Sequence, residues 1–275
     1  HAKNFKNLSD IASAKSEIIN NINKGGTIIL NKQDKFFNYF KKKSVKNNLK
    51  IISFAKNINA DVMHIRTIRK KSDCILFIKT RNKLKKFVIK YSLLPYLDNI
   101  LATVAVISIY FDIQKIKENI FYNFPIPVGR GNLIKIKLKN KEINIIDESY
   151  NSNPLSLKFA IDKFNSLNID NKRKILLLGD MLELGKYAKK LHIEAAKDIN
   201  KSNINKVFVR GKMIKETFNK ITTQKKGKIL KNNIEILDLI KKKLNTRDFL
   251  MIKGSNATGL NTIVSKIKLG QRNAL

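Results

Sequence analysis

The sequence predicts an α/β protein in two parts, and three observations carry that reading. From about residue 132 onward, short apolar runs alternate with helical patterns, and runs such as Ile175–Leu178 and Phe249–Ile252 contain no polar residue. Unbroken apolar strands that alternate with helices belong to a mainly parallel sheet covered on both faces. Ahead of this region, Lys50–Leu94 reads as a series of β-branched and aromatic runs separated by Asn, Ser, Asp and Lys. Between the two lies FPIPVGRG, Phe124–Gly131, whose prolines and glycines interrupt either kind of periodic structure. The domains are therefore expected at residues 1–126 and 127–275.

The elements follow in order. Ser9 is placed to cap a first helix in which Ile11, Ile18, Ile19 and Ile22 recur at helical spacing, with Lys15 on the same face. A strand, TIIL, spans Thr27–Leu30 and delivers the polar Asn31-Lys32-Gln33-Asp34 at its carboxyl end. KIISFA, DVMHIRTIRK, CILFIK and KKFVIKYSL then read as strands, followed by a buried helix from Tyr96 to Phe111. In the second part LIKIKL and EINIID form a hairpin-like pair ahead of a helix Pro154–Leu167. After that come strand KILLLGD, helix Lys186–Lys201, strand KVFVRG, a helix from Lys212, helix Ile234–Leu244, strand FLMIKGS and helix Thr258–Lys268. Parallel sheets bind ligands at the carboxyl ends of their strands. Those ends carry Asp147, Gly179-Asp180 and Lys253-Gly254-Ser255.

Composition narrows the function classes. At 275 residues and 43% hydrophobic content the chain can build real cores. The longest apolar stretch, Ile100–Phe111, is about half of the roughly 20 residues a membrane span needs. The chain opens at His1 without the apolar core of a secretory signal, which reads as a cytoplasmic protein cut from something longer. Cys74, the single cysteine, has no internal disulfide partner and suits a reducing compartment. The formal charge of +35 suggests a nucleic-acid binder. Against that, only eight of the 56 basic residues are Arg, the lysines run along the whole chain, and there is no Trp. Nucleic-acid readers favour the bidentate Arg fork and exposed stacking aromatics. The charge accordingly reads as the coding bias of an A/T-rich genome, with no specific nucleic-acid partner.

Several segments together resemble the Mur ligases, and among them the branch that adds D-Ala-D-Ala to UDP-N-acetylmuramoyl-tripeptide. The most specific is IIDESYNSNPLSLKFAI, Ile145–Ile161, similar to that branch's Asp-x-Ser-Tyr-Asn-x-Asn-Pro motif. KILLLGDMLELG, Lys174–Gly185, resembles its Leu-Gly-Asp-Met-x-Glu-Leu-Gly, with His192 where a Leu-His pair usually follows. HAKNFKNLSDIASAKSEI, LNKQD, VGRG and IKGSN fit in order and spacing. The Asn-rich Tyr150–Pro154 stretch separates the chain from sister ligases, which tend to carry a Tyr-Ala-His segment there.

The resemblance implies the C-terminal part of a central ATPase domain followed by a Rossmann-like α/β domain. It also implies ATP and Mg2+ as cofactors, UDP-N-acetylmuramoyl-tripeptide and D-Ala-D-Ala as partners, an acyl-phosphate route, a monomer and a cytoplasmic place in peptidoglycan synthesis. The phosphate-cradling Gly-x-x-x-x-Gly-Lys-Ser/Thr loop is absent from the sequence, so the chain as it stands is expected to be inactive. Residue by residue, Lys15 matches a lysine that is carbamylated in related ligases and helps hold magnesium, and His1 matches a histidine on the same metal. Burial of Lys15 on an apolar face would favour the neutral amine that reacts with carbon dioxide. Asn31, Asp34, Asn99 and Asp147 correspond to nucleotide-contacting positions, and Arg130 to a phosphate-facing arginine that engages when domains close. Ser149, Tyr150, Asn151, Asn153, Lys253 and Ser255 are expected at the substrate.

Each has a plainer reading: Lys15 as a solvated lysine, Asn31 and Asp34 as turn residues, Arg130 as a linker charge, the Asn-rich turn as a helix cap, and Lys253 with Ser255 as a capped loop. Two departures stand out, Pro95 where the family has a His and Ser16 where it has a Gly, and residues 41–94 are too diverged for residue-level transfer. The rival readings are another Mur-type or folylpolyglutamate-type ligase, a binding protein without catalysis, and a basic nucleic-acid-binding module.

Overall fold

The computed structural model describes residues 5, 7–81, 83–138, 141–167, 169 and 172–270. It divides into two compact units, one running from Asn7 to Pro125 and one from Ile126 onward.

The first unit opens with α1, Leu8–Ser16, continued by a 3-10 turn over Glu17–Asn21. The cap is Asn7, whose Oδ1 accepts the Asp10 N–H at 3.0 Å, in place of the expected Ser9. The tighter 3-10 turn breaks the α-helical period, so the expected isoleucine face does not form. Ile19 is fully buried, whereas Ile18 is 64% exposed. The buried residues of α1 are Ala12 and Ser16, and Lys15 lies on the exposed side.

Five strands follow with two helices: β1 (Thr27–Asn31), α2 (Phe37–Lys46), β2 (Lys50–Lys56), β3 (Val62–Arg69), β4 (Asp73–Thr80), β5 (Lys83–Lys90) and α3 (Leu97–Tyr110). They form one sheet in sequential order, with β1, β2 and β3 parallel and β3, β4 and β5 an antiparallel meander. Helix α3 covers β1 to β4 with Leu97, Ile100, Leu101, Val104 and Ala105. Only this face is buried. Val106, Ile109 and Tyr110 are exposed, which corrects the expectation of a buried helix throughout. Tyr91–Tyr110 is long and apolar enough to cross a membrane by length and composition, but its first six residues are 3-10 turns around Pro95 and its inner face is core.

The second unit contains β6 (Asn132–Leu138), β7 (Lys141–Glu148), α4 (Pro154–Asn165), β8 (Lys174–Gly179), α5 (Ala188–Lys201), β9 (Lys206–Arg210), α6 (Ile214–Lys220), β10 (Lys226–Ile229), α7 (Asn233–Asp238), β11 (Phe249–Lys253) and α8 (Leu260–Gly270). The sheet order is β10-β9-β8-β11-β7-β6, parallel except for β6, which pairs antiparallel with β7 at the edge.

Side chains along the central strands alternate between two apolar layers. Ile175, Leu177, Leu250 and Ile252 enter one layer, and Leu176, Leu178 and Met251 the other. This is why those strands carry no polar residue. Strand β10, KGKI, is not anticipated by the sequence, because two lysines and a glycine hide a β pattern at an edge. The expected helix Ile234–Leu244 is α7 followed by a turn of π-helix, Leu239–Lys243.

Helix α4 starts at Pro154, which needs no N–H donor there, and Asn153 caps it. The Asn153 Oδ1 accepts from Ser156 N at 2.8 Å while the Asn153 N–H donates to Ser156 Oγ at 3.0 Å, a reciprocal box. Phe164 at the far end of α4 is buried in the layer that also holds Leu176, Val207 and Met251. Phe164→Ala is expected to destabilise the second unit by roughly 3–5 kcal/mol, read as a lower urea midpoint of that unit's transition.

Candidate active site

Three neighbouring strands, β7, β8 and β11, release their loops at one end of the second sheet, and a set of buried polar contacts ties those loops together. The Lys253 ammonium, 2% exposed, donates to the Asn151 carbonyl at 2.9 Å and lies 3.9 Å from Glu148 Oε2. Ser255 Oγ donates to the Ser152 carbonyl at 3.1 Å and accepts the Leu182 N–H at 2.9 Å. The chain from β11 thereby holds the loops after β7 and β8. Gly179 and Gly254 permit the approach: a Cβ on Gly254 would meet the Cα of Gly179 at 3.1 Å and Thr258 Oγ1 at 2.9 Å.

Asp147 points inward. It is 1% exposed, and its Oδ1 accepts both the Ser149 hydroxyl, at 2.6 Å, and the Ser149 N–H, at 3.1 Å. Asp147, Ser149, Lys253 and Ser255 are therefore the internal frame of the loop. The outward side chains are those of Tyr150, Asn151 and Asn153. Of these, Asn153 is committed to capping α4, and Asn151 Oδ1 accepts the Ser152 N–H at 2.8 Å.

The glycines that precede β6 bring Arg130 to the same place. Gly129 accepts the Tyr150 N–H at 3.1 Å, and at φ +77° a Cβ there would strike the Tyr150 backbone at 2.8 Å. Gly131 donates to the Asp147 carbonyl at 2.7 Å, also at positive φ. Arg130 between them stacks its guanidinium 4.3 Å from the centre of the Tyr150 ring.

Two acidic and basic residues not singled out from the sequence also stand here. A Cβ on Gly131 would lie 3.0 Å from both Glu148 Oε1 and Lys163 Nζ, so these groups converge on the glycine. Burial pushes the Glu148 carboxyl up, against the pull of Lys253 and Lys163, and burial pushes the Lys253 ammonium down, with Glu148 opposing. Glu148 was hidden by its neighbour, since Asp147 occupies the preceding position and is the more obvious strand-end acid. Lys163, three turns into α4, carries no sequence signal in a lysine-rich chain.

Asp180, also at a strand end, has a structural task. Its carboxylate accepts the N–H groups of Ile214 and Lys212, at 2.8 and 3.0 Å, and so caps α6. His192 is fully buried; its Nε2 accepts the Met181 N–H at 3.0 Å, which leaves Nδ1 to donate to the Ala188 carbonyl at 2.7 Å. It staples the loop after β8 to α5.

In the first unit the expected residues do not form one cluster. His1 lies outside the described residues, and the exposure of Lys15 removes the desolvation argument offered for it. Asn31 and Asp34 sit at the end of β1 with their Oδ1 atoms accepting the Gln33 and Phe36 N–H groups, at 2.9 and 2.7 Å, as turn residues do. Asn99 is exposed in the first turn of α3, beside the Lys56–Asp98 pair at 2.8 Å. Among the described residues no three His, Cys, Asp or Glu side chains come together as a metal site.

Comparison with known proteins identifies the two domains. The Mur ligase middle domain model matches residues 1–107, and the model described as Mur ligase, glutamate ligase domain, matches residues 129–256. The chain belongs to the Mur ligases. A UDP-N-acetylmuramoyl-tripeptide--D-alanyl-D-alanine ligase of Buchnera aphidicola subsp. Baizongia pistaciae is 30% identical over 97% of the chain and 56% of that protein. The enzyme of the same name from Rickettsia prowazekii is 26% identical over 96% of the chain and 58% of that protein. The chain thus spans a little over half the length of the curated relatives it matches.

Two solved structures share the Mur ligase fold. MurF from Acinetobacter baumannii superposes with a TM-score of 0.76 at 21% identity, over 96% of this chain and 56% of that one. MurF ligase from Thermotoga maritima, solved in complex with ADP, does so with a TM-score of 0.75 at 18% identity, over 100% and 60%. The fold class read from the sequence, an α/β ligase core with a Rossmann-like second domain, agrees with these matches.

The Glu148 environment has a pH consequence. A carboxyl whose folded pKa lies above its unfolded one favours folding below the ordinary carboxylate range and loses that contribution as pH rises through the raised value. Glu148→Gln is therefore expected to gain stability relative to the parent as pH is raised from about 4 towards neutrality. Urea unfolding of both proteins across that window checks this, and a pH-independent difference would refute it.

Proposed function

We propose that this Mur ligase serves in ATP-dependent addition of D-Ala-D-Ala to UDP-N-acetylmuramoyl-tripeptide, in cytoplasmic synthesis of peptidoglycan precursors. In this reading residues 1–126 are the later part of the central ATP-binding domain and residues 127–275 the amine-substrate domain. The observation that carries it is the Tyr150–Asn153 loop. Its Asn-rich sequence is the feature that distinguishes this branch, and its frame leaves Tyr150 and Asn151 facing outward beside Arg130. The named relatives at 30% and 26% identity support the same choice over sister ligases.

ATP would supply the phosphoryl group that activates the tripeptide carboxylate. The amine of the dipeptide then attacks the acyl phosphate; a C–N bond forms, the C–O bond to phosphate breaks, and the amine loses a proton. The residues described here bind and orient. Arg130, its guanidinium laid on the Tyr150 ring, is the cation offered to an anionic oxygen. The amide of Asn151 keeps its Nδ2 donors for the dipeptide, and the start of α4 adds the positive end of a helix dipole close to its carboxylate. Asn31 retains its Nδ2 donor group and Asp34 its second carboxylate oxygen for a nucleoside edge, with Asn99 as a further candidate. For Mg2+, Lys15 would be the candidate ligand among the described residues, with His1 outside them.

The test uses the full-length enzyme. ADP release is expected on addition of D-Ala-D-Ala with the UDP-tripeptide, and not with glutamate or meso-diaminopimelate as the amine. Asn151→Ala is expected to raise the KM for the dipeptide by roughly tenfold, about 1.4 kcal/mol, with unchanged thermal stability. Asn153→Ala is expected instead to lose about 1 kcal/mol of stability, because it removes a helix cap. Absence of dipeptide-dependent ADP release in the full-length protein would overturn the reading.

A further inference from the structure

A second cleft of the C-terminal unit lies at the other end of its sheet. It has a volume of about 590 Å³, within the range of small-molecule sites. Its floor is apolar, made by Phe208 of β9, Leu230 beyond β10 and Leu239 in the π-helical turn, side chains that belong to or pack against the core layer. The cleft therefore sits where the core reaches the surface between α7 and the edge strand β10. Gly227 keeps that edge close: a Cβ there would meet the Phe208 ring at 2.8 Å.

Its rim is cationic in an ordered way. Arg173 precedes β8, Lys206 opens β9 and Lys226 opens β10, so three adjacent parallel strands, about 4.8 Å apart, each present a cation at their amino-terminal ends. Lys228 follows on β10, and Lys242 and Lys243 come from the π-helical turn Leu239–Lys243. Six of the twelve lining residues are Lys or Arg, whereas the chain as a whole has 56 in 275, so a lysine-rich composition does not account for the rim.

Acids neutralise only part of this charge. Arg173 pairs with Asp248, Lys228 with Glu235 and Lys242 with Asp238. Lys206 reaches a backbone carbonyl only, that of Lys226 at 3.2 Å, and Lys243 has no acidic partner among the described residues, whereas the Lys226 ammonium turns to α6, donating to the Asn219 carbonyl at 3.3 Å and lying 5.7 Å from the centre of the Phe218 ring. Two ammonium groups, those of Lys206 and Lys243, thus stand at an apolar floor without an acid paired to them.

We propose that this cleft binds a small organophosphate whose dianion meets Lys206 and Lys243 while its apolar body covers Phe208 and Leu239. The site is separate from the strand-end loops that hold Arg130 and Lys253, and it does not depend on the ligase reading. Charge and apolar surface are both required, because a phosphate alone gains only screened attraction to surface ammoniums and an apolar body alone leaves the rim unbalanced.

The experiment is calorimetric titration of the full chain with 1-naphthyl phosphate, inorganic phosphate and 1-naphthol. The naphthyl phosphate is expected to bind at least about tenfold more tightly than either other probe. A Lys206→Gln, Lys243→Gln variant, changed only at exposed positions, should weaken it by about tenfold or more. A Lys83→Gln, Lys86→Gln variant in the other unit should leave it within about twofold. Equal, weak binding of all three probes would overturn the proposal, as would equal losses in both variants, which would mean diffuse attraction to lysines. Matching thermal transitions of the variants and parent exclude unfolding as the cause of a loss.

Discussion

A buried ammonium holds the candidate site together. Lys253 ends β11 almost without solvent, and an isolated charge in such a place would cost far more than one hydrogen bond returns. It persists because Glu148 stands beside it and because the Asn151 carbonyl accepts its proton. Each partner belongs to the chain leaving β7, so satisfying the lysine fixes where that chain goes. The positions of Tyr150 and Arg130 then follow: Gly129 is bonded to Tyr150, and the arginine lies on its ring.

This constraint explains a division of labour among residues that sequence reasoning grouped together. Polar residues at strand ends can either meet a ligand or satisfy the backbone where three loops crowd. Asp147, Ser149, Asp180, His192 and Ser255 do the second, Asp147 and Ser149 by bonding each other within one loop and the other three by bonding a neighbouring loop or helix. Burying so many polar groups is tolerable only when they are paired, and pairing makes the loop frame rigid. Few side chains of the loop are directed outward, and Asn151 and Arg130 are among them.

Much of the architecture was legible because the central strands are apolar on both faces and the helices carry their own signals, such as Pro154 after Asn153. Where the pattern was overwritten, reading failed for identifiable reasons. In KGKI the lysines of β10 are tolerated because it is an edge strand. The isoleucines after Lys15 fit a helical wheel, but the backbone tightens into a 3-10 turn and turns Ile18 to solvent. At the site the residue types and the loop were visible, whereas the inward turn of Asp147 and the convergence of Glu148 and Lys163 on Gly131 were not. Both depend on which side of a strand end each carboxylate faces, a fact set by the pairing of β7 with its neighbours and not by local spacing.

The charge of the chain looks different once its lysines are located. Lys85, Lys141, Lys174, Lys225 and Lys253 each donate to backbone carbonyls, several of them at the ends of helices or strands where no backbone donor remains. In most sequences Asn, Ser, Gly or water would do this work. A genome that supplies lysine in excess can use its long, flexible donor for the same purpose, with the stem covering apolar surface on the way. Charge spent in this manner creates no surface shaped to a phosphate backbone. It follows that the total of +35 says little about partners. What matters is where ammonium groups without a paired acid stand at a concave apolar surface, as Lys206 and Lys243 do at the cleft beneath β10.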